Sequence, residues 1–402
     1  MKYKSLAILL LSSCTSIISM AQTNQTAIVE DFKTTPTTQQ EHKFPQVNSE
    51  GRVRVSISAP QALKVQLDIG GVKYDLMKDD KGVWTGESAP QDEGFHYYQL
   101  NIDGASVPDP GSLYYYGASR WGSGIEIPAK DQDFYALKNV PHGQLRENHY
   151  FSKTTNSVRR IYIYTPPGYE KDNFKSYPVL YLQHGMGENE TGWSNQGHTN
   201  LIMDNLIAEG KSRPFIIVME NSSVNFGGTP RVPKPTGAST APVPGQTTPA
   251  ANSPRSGSPI GGMNITGKFE RILLDDLIPY VESNYRVIPD QAHRAMAGLS
   301  MGGMQTHSIV VANPAVFSYV GMFSSGTFSP TEIKDIDSFK KKVKVVFMSF
   351  GSKEGGSSRI GTAAEEWNRV GIEGISYISP QTAHEWQSWR RSLNEFAPLL
   401  FK

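Results

Sequence analysis

Ser300 stands between two glycines in "AMAGLSMGGM" (residues 295–304), at the spacing Gly298-X-Ser300-X-Gly302. A serine hydroxyl is a weak nucleophile, so the chemistry it could perform is acyl transfer with a neighbouring base removing its proton. The spacing alone is weak, because small residues gather wherever a strand bends sharply into a helix. Here the apolar run "RAMAGL" precedes the serine and the helical pattern "GGMQTHSIVVAN" follows it. In that setting the glycines let strand and helix approach closely and push the hydroxyl into the open. The helix N-terminus also aims backbone N–H groups at the same spot. Ser300 is therefore the candidate nucleophile, against the bland alternative of a small residue in a bend.

A base should follow the serine in the chain, and only His307 and His384 do. His307 lies two turns along the same helix, about 10 Å away, and reads as a packed helix histidine. His384, in "SPQTAHEWQSW", falls between the last predicted strand and the last predicted helix, where a general base belongs. The imidazole needs a carboxylate to orient it, at the end of the penultimate strand. Glu354 in "VVFMSFGSKEGG" is placed there, whereas Asp335 and Asp337 precede that strand and Glu365 and Glu366 fall within a helix. Two N–H donors should hold the oxyanion. The N–H of Met301 supplies one by position, and Met186 in "LQHGMGENETGW" is the choice for the other, with His184 read as a buried turn histidine. The stretch "GMGENE" lacks the Lys-Ser/Thr of a phosphate loop. This chemistry calls for no cofactor and no metal.

The elements that must position these groups fall into two patterns. Residues 45–128 read as short alternating strands broken by turn residues, such as "RVRVSISAP" and "GFHYYQLNIDG", which predicts an all-β, immunoglobulin-like sandwich. Residues 143–402 alternate strands with helices, which predicts an α/β domain with a mostly parallel central sheet. In "FERILLDDLIPYVESNYR" the residues Phe269, Ile272, Leu273, Leu277 and Val281 share one helical face. Segments 22–44 and 129–142 read as linkers. A Pro/Gly/Ser-rich insertion at 226–264 reads as a loop, either a wall of the site or a solvated excursion.

The composition narrows the function further. The chain has 402 residues, 38% apolar and 19% charged, with a formal net charge of +1 and a single cysteine, Cys14. Near-neutral charge, with no basic run beyond Lys340 to Lys342, argues against a nucleic-acid partner. The N-terminus pairs Lys2 and Lys4 with "LAILLLSSCTSIISM" and a small-residue site ending at Ala21, so residues 1–21 read as an export signal. A lipoprotein site at Cys14 is the alternative. No later stretch is long enough to span a bilayer, and oligomeric state is not legible.

Through these residues the part from about 143 to 402 resembles the esterase D-type branch of the α/β-hydrolases, nearest to the feruloyl esterases of carbohydrate esterase family 1. The resemblance runs through "YPVLYLQHGMGENETGW", "RAMAGLSMGGMQT", "SFGSKEG" and "HEWQSWRRSL". It implies a triad of Ser300, Glu354 and His384, with Glu where relatives usually carry Asp. It also implies a feruloylated xylan or xylo-oligosaccharide substrate. An acetyl-xylan or siderophore (enterobactin-type) esterase, or a non-catalytic carbohydrate-binding protein, are the alternatives. Residues 45–128, through "GVWTGESAP" and "VPDPGSLYYYG", resemble family 48 carbohydrate-binding modules. That resemblance makes Trp84, Tyr115 and Trp121 candidates for stacking on sugar, and Trp193 is a candidate wall of the acyl pocket.

Overall fold

The computed structural model describes residues 28–223 and 266–402. The expected leader at 1–21, with Cys14, and the 226–264 insertion lie outside the described residues.

The N-terminal part is entirely antiparallel. One sheet runs in the order Lys33–Thr34, Gln46–Val47, Val53–Ser58, Val83–Glu87, Met77–Lys78. The other runs Tyr114–Gly117, Arg120–Ile127, Gly94–Ile102, Val65–Ile69, Val72–Asp75, with Ala105–Val107 paired to Gly94–Ile102. Along residues 53–56 and Val65–Ile69 burial alternates residue by residue, as one-sided strands require. Val53, Val55, Val65, Leu67, Leu100 and Ile125 form the buried core. The strands Tyr114–Gly117 and Arg120–Ile127 are joined by a two-residue hairpin turn at Ala118 and Ser119, both at positive φ (50° and 63°). That is the left-handed pair that matches strand twist, here built without glycine or asparagine.

Two linker assignments need correction. The segment read as a polar linker to residue 44 contains a short edge strand: Lys33–Thr34 pairs with Gln46–Val47, and Arg54 grips Glu30 with two hydrogen bonds of 2.9 Å. Edge pairing uses backbone groups and needs no apolar side chains, so a Thr/Gln-rich composition concealed it. The segment 129–142 is likewise packed. It holds a 3-10 turn at Gln132–Tyr135 with Tyr135 buried, and Asn205 donates to the carbonyls of Phe134 and Ala136.

The C-terminal part is built on an eight-stranded sheet among the described residues. In chain order its strands are β1 (Gln144–Ser152), β2 (Ser157–Thr165), β3 (Val179–Gln183), β4 (Ile216–Glu220), β5 (Arg294–Leu299), β6 (Tyr319–Phe323), β7 (Val345–Gly351) and β8 (Glu373–Ser379). Their spatial order is β1-β2-β4-β3-β5-β6-β7-β8. The β1/β2 and β2/β4 pairs are antiparallel and the rest parallel. The polar edge strand β1 was not anticipated. The five central strands β3 to β7 are buried at every residue but Arg294, which opens β5, as strands covered on both faces must be. Phe269, Ile272, Leu273, Leu277 and Val281 are all fully buried on a helix that passes through a π-helical turn at Ile272–Leu277. Among the described residues, no helix is long and apolar enough to cross a membrane.

The two parts share a polar seam. Arg390, on the helix Trp386–Phe396, is 0% exposed and makes a two-pronged ion pair with Glu126 at 2.6 and 3.0 Å. Its Nε donates to the carbonyl of Gln196 at 2.8 Å, and its guanidinium lies over the Tyr135 ring.

Candidate active site

Ser300 occupies the turn between β5 and the helix Met301–Ala312 with φ 50° and ψ −116°. A non-glycine residue there is strained, and it persists only when its surroundings over-determine it. Those surroundings are visible. A Cβ on Gly298 would stand 2.4 Å from the Gly302 backbone, and one on Gly302 would stand 2.6 Å from the His184 carbonyl oxygen. Neither position admits a side chain, which is the steric reason for the Gly-X-Ser-X-Gly spacing. The Ser300 N–H donates to the Phe323 carbonyl at 2.8 Å, tying the turn to the end of β6.

The next residue along β6, Ser324, leads to the acid. Its hydroxyl donates to Glu354 Oε1 at 2.7 Å, and the Gly351 N–H at the end of β7 donates to the same oxygen at 2.8 Å. Glu354 Oε2 lies 2.8 Å from His384 Nδ1. Burial raises the Glu354 pKa, but the bonds from His384, Ser324 and Gly351 outweigh it and hold the carboxyl below its ordinary range. An ionised carboxylate only accepts, so Nδ1 must be the donor and Nε2 carries the lone pair. The imidazole packs edge-on against Trp389, whose indole N–H donates to Ser324 Oγ at 3.0 Å. The His384 side chain remains 48% exposed, open to a substrate. Ser300, Glu354 and His384 thus follow the carboxyl ends of β5, β7 and β8, where the loops of parallel sheets form ligand sites. Among the described residues no hydrogen bond joins Ser300 Oγ to the imidazole, and such contacts often tighten only around substrate.

Met301, the first residue of the helix, follows Ser300 directly and is buried. A Cβ on Gly185 would lie 3.4 Å from Ser300 Cβ, so Met186 follows directly on a neighbour of Ser300. His184 is a buried turn residue, as expected. Its Nδ1 lies 2.8 Å from the Gly185 carbonyl, and its Nε2 accepts from the Ser222 N–H at 3.0 Å. Burial lowers its pKa and keeps the ring neutral. His307 packs edge-on against Phe328 beside Glu332.

The candidate aromatic residues separate. Trp193 is 1% exposed, donates to the Gln183 carbonyl and packs against Phe323 and Trp386. It is core and not a pocket wall. Trp84 is buried in the sandwich with its N–H on the Ala59 carbonyl, so it cannot stack on sugar. Tyr115 is half-buried against Phe95, and burial pushes its hydroxyl up to about 12. Trp121, 53% exposed and edge-on to Tyr116, keeps an open ring face.

Residues that the motifs did not mark surround the 185–190 loop. Glu188 is buried, and its carboxylate accepts from the Tyr97 hydroxyl at 2.8 and 3.0 Å. Burial, only partly offset by the Tyr97 and Trp386 donors, raises Glu188 to about 7. Between about pH 4.5 and 7 the folded chain therefore holds a proton that the unfolded chain has lost. Its stabilising contribution is full below that window and falls away as pH rises through it, by roughly 3 kcal/mol in all. Glu188→Gln is expected to flatten this part of the stability profile, measured by chemical denaturation at pH 5, 6 and 7. A slope identical to the parent's would contradict it.

The comparisons with known proteins bear on this arrangement. The esterase family model matches residues 152–399, a span that includes Ser300, Glu354 and His384. The chain belongs to the esterase family. Over 384 residues, 93% of its length, this esterase-family chain is 42% identical to the endo-1,4-beta-xylanase/feruloyl esterase of Xylanibacter ruminicola, covering 48% of that protein. Over 167 residues (39% of the chain, 12% of the relative) it is 28% identical to endo-1,4-beta-xylanase Y of Acetivibrio thermocellus. The chain thus spans about half or less of these curated relatives. Among solved structures it resembles the family 1 ferulic acid esterase of Anaeromyces mucronatus in complex with ferulic acid. The TM-score is 0.51 at 22% identity, over 68% of this chain and 96% of that one. The enterobactin esterase of Shigella flexneri aligns with TM-score 0.57 at 14% identity, over 86% of this chain and 92% of that one. At such identities these structures share the fold, the α/β-hydrolase architecture.

Glu354→Gln tests the orienting acid. The amide cannot supply the charge that stabilises an imidazolium and can hold the wrong tautomer, so kcat for a small ester is expected to fall by about 10²–10⁴-fold with little change in KM. A loss below threefold would remove Glu354 from the site.

Proposed function

We propose that this chain is a serine esterase that releases ferulate or p-coumarate from arabinoxylan-type plant polysaccharide through an acyl-enzyme. The observation that carries the reading is the Glu354–His384 hydrogen bond at the strand ends beside the strained turn that bears Ser300. In this reading His384 Nε2 takes the proton of Ser300 Oγ as the oxygen attacks the ester carbonyl. The N–H groups of Met301 and Met186 hold the oxyanion. The sugar hydroxyl leaves with the proton, and water then attacks the acyl-enzyme by the same route, freeing the hydroxycinnamate and restoring Ser300.

The relative from Xylanibacter ruminicola carries two activities in its name, and the local chemistry favours the second. Glycoside hydrolysis needs two carboxyl groups facing one another across a sugar, whereas both oxygens of Glu354 are committed to Ser324, Gly351 and His384. Trp121, with its open ring, is the sugar-facing residue we propose on the N-terminal part. Export through residues 1–21 belongs to the same proposal, and a mature protein beginning at residue 22 would support it over lipid attachment at Cys14.

Hydrolysis of methyl ferulate, p-nitrophenyl acetate, a long-chain ester and feruloylated and acetylated xylans by the purified protein tests the reading. Release of ferulate well ahead of acetate is expected. Preference for acetyl-xylan, or for a catecholate siderophore ester, would move the chain to a sibling specificity on the same scaffold.

A further inference from the structure

The loop that carries Met186 is held from outside the α/β domain. The Ser119 N–H, at the tip of the strained hairpin in the N-terminal sheet, donates to the Gly187 carbonyl at 2.8 Å. Gly187 has φ 79°, and a Cβ there would stand 3.2 Å from Ser119 N and 3.3 Å from Ala118 Cα. One residue on, Glu188 receives the Tyr97 hydroxyl, again from the N-terminal part. Gln196 completes the clamp, its amide donating to Tyr97 Oη at 2.6 Å and to the Tyr116 carbonyl at 2.8 Å. Trp386 Nε1 donates to the same Tyr97 oxygen at 3.3 Å. Trp386 follows His384 by two residues and packs edge-on against Trp389, the ring that supports the imidazole. On its inner side the loop meets the nucleophile through Gly185 and Ser300.

We infer that the N-terminal β-domain is a working part of the esterase centre: Tyr97 and the Ala118–Ser119 hairpin are positioning elements that hold the 185–188 backbone, and so the Met186 N–H, in register with Ser300. The inference rests on the serine-esterase reading. A hydrogen-bond donor to an oxyanion is effective only if it is already aimed when charge develops, and a short glycine-containing loop does not aim itself. Here one side of the loop is fixed by the strand end and the other by a neighbouring domain. Removing the Tyr97 hydroxyl leaves Glu188, Gln196 and Trp386 without their common partner and frees the outer side.

The test uses the full chain, a small soluble ester and two small ligands. With methyl ferulate as substrate, Tyr97→Phe is expected to lower kcat by roughly tenfold or more, because a misaimed donor loses part of the 10²–10³ that deleting one costs. KM should stay within about twofold. Phenylboronic acid, whose tetrahedral adduct on a serine needs the oxyanion donors, should bind more weakly by a similar factor, while ferulate as a product inhibitor keeps its affinity. If Tyr97→Phe does not fold, Gln196→Met withdraws the amide that ties Tyr97 to Tyr116 and carries the same expectation. A folded variant with kcat and boronate affinity within twofold of the parent overturns the inference. So does an equal loss for boronate and ferulate, or a defect confined to polymeric xylan, which would make the domain only a substrate grip. A parent protein inert on every ester sinks the esterase reading and this inference with it. A parent that hydrolyses esters beside an unaffected variant sinks the inference alone.

Discussion

Ser300→Ala is expected to reduce kcat for ester hydrolysis by about 10⁵-fold or more while leaving ferulate binding intact. The magnitude follows from the chemistry: without the hydroxyl no acyl-enzyme forms, and what remains is whatever the oxyanion donors and proximity supply to attack by water. The fold should tolerate the change. The strained backbone at position 300 is set by backbone crowding around Gly298, Gly302 and the carbonyls of Gln183 and His184, which does not depend on the serine hydroxyl. Stability should therefore stay within about 1 kcal/mol. Steady-state kinetics with methyl ferulate, and ferulate binding by calorimetry, provide the check. Residual activity within 100-fold of the parent would mean that another group attacks the ester.

Arg390→Ala is expected to be the most damaging single change to stability. The arginine is fully buried and Glu126 is 6% exposed, so truncating one partner strands a carboxylate in the seam between the two parts. Such a loss costs about 3–5 kcal/mol, more than the pair contributes relative to an apolar replacement. The stacking on Tyr135 and the bond to the Gln196 carbonyl go with it. Burial raises the Glu126 pKa, but Arg390 outweighs it and keeps the acid below its ordinary value. A depressed carboxylate stabilises the fold above its unfolded pKa and loses that contribution as pH falls through the folded one. The deficit of Arg390→Ala should accordingly be largest near neutral pH and shrink in acid, where Glu126 can take up a proton. The double variant Glu126→Leu/Arg390→Met should recover most of the loss. Denaturant unfolding of the parent and both variants at pH 7 and pH 4.5 measures all of this. A single variant within 1 kcal/mol of the parent at pH 7 would refute the account of the seam.

How much of the site could be read beforehand depended on how local its signals were. The turn at Ser300 is specified by four neighbours in the chain, because two glycines are the steric condition for a strand and a helix to meet at that angle. The strand-then-loop settings of Glu354 and His384 were legible from apolar runs that end at the right place. The 3.6-residue spacing of Phe269, Ile272, Leu273, Leu277 and Val281 marked a buried face, and each of them is buried.

Other features were decided only when distant segments met. Trp84 was a candidate for stacking on sugar and Trp193 for a wall of the acyl pocket, yet both went into the core, because a tryptophan among polar neighbours gives no sign of what packs over it. Residues 28–44 are too polar to signal a strand, yet Lys33–Thr34 became sheet edge through backbone bonds that any side chain permits. Nothing in "GENE" marks Glu188 as buried; Tyr97, 91 positions earlier, closes over it. Arg390 and Glu126 are 264 positions apart, and nothing near either residue announces the other. From the chain alone came the residue types that local backbone geometry demands, and so a candidate nucleophile, base and acid. The tertiary structure decided which polar groups would be buried together, since desolvation depends on what arrives from elsewhere in the molecule and not on the neighbours in sequence.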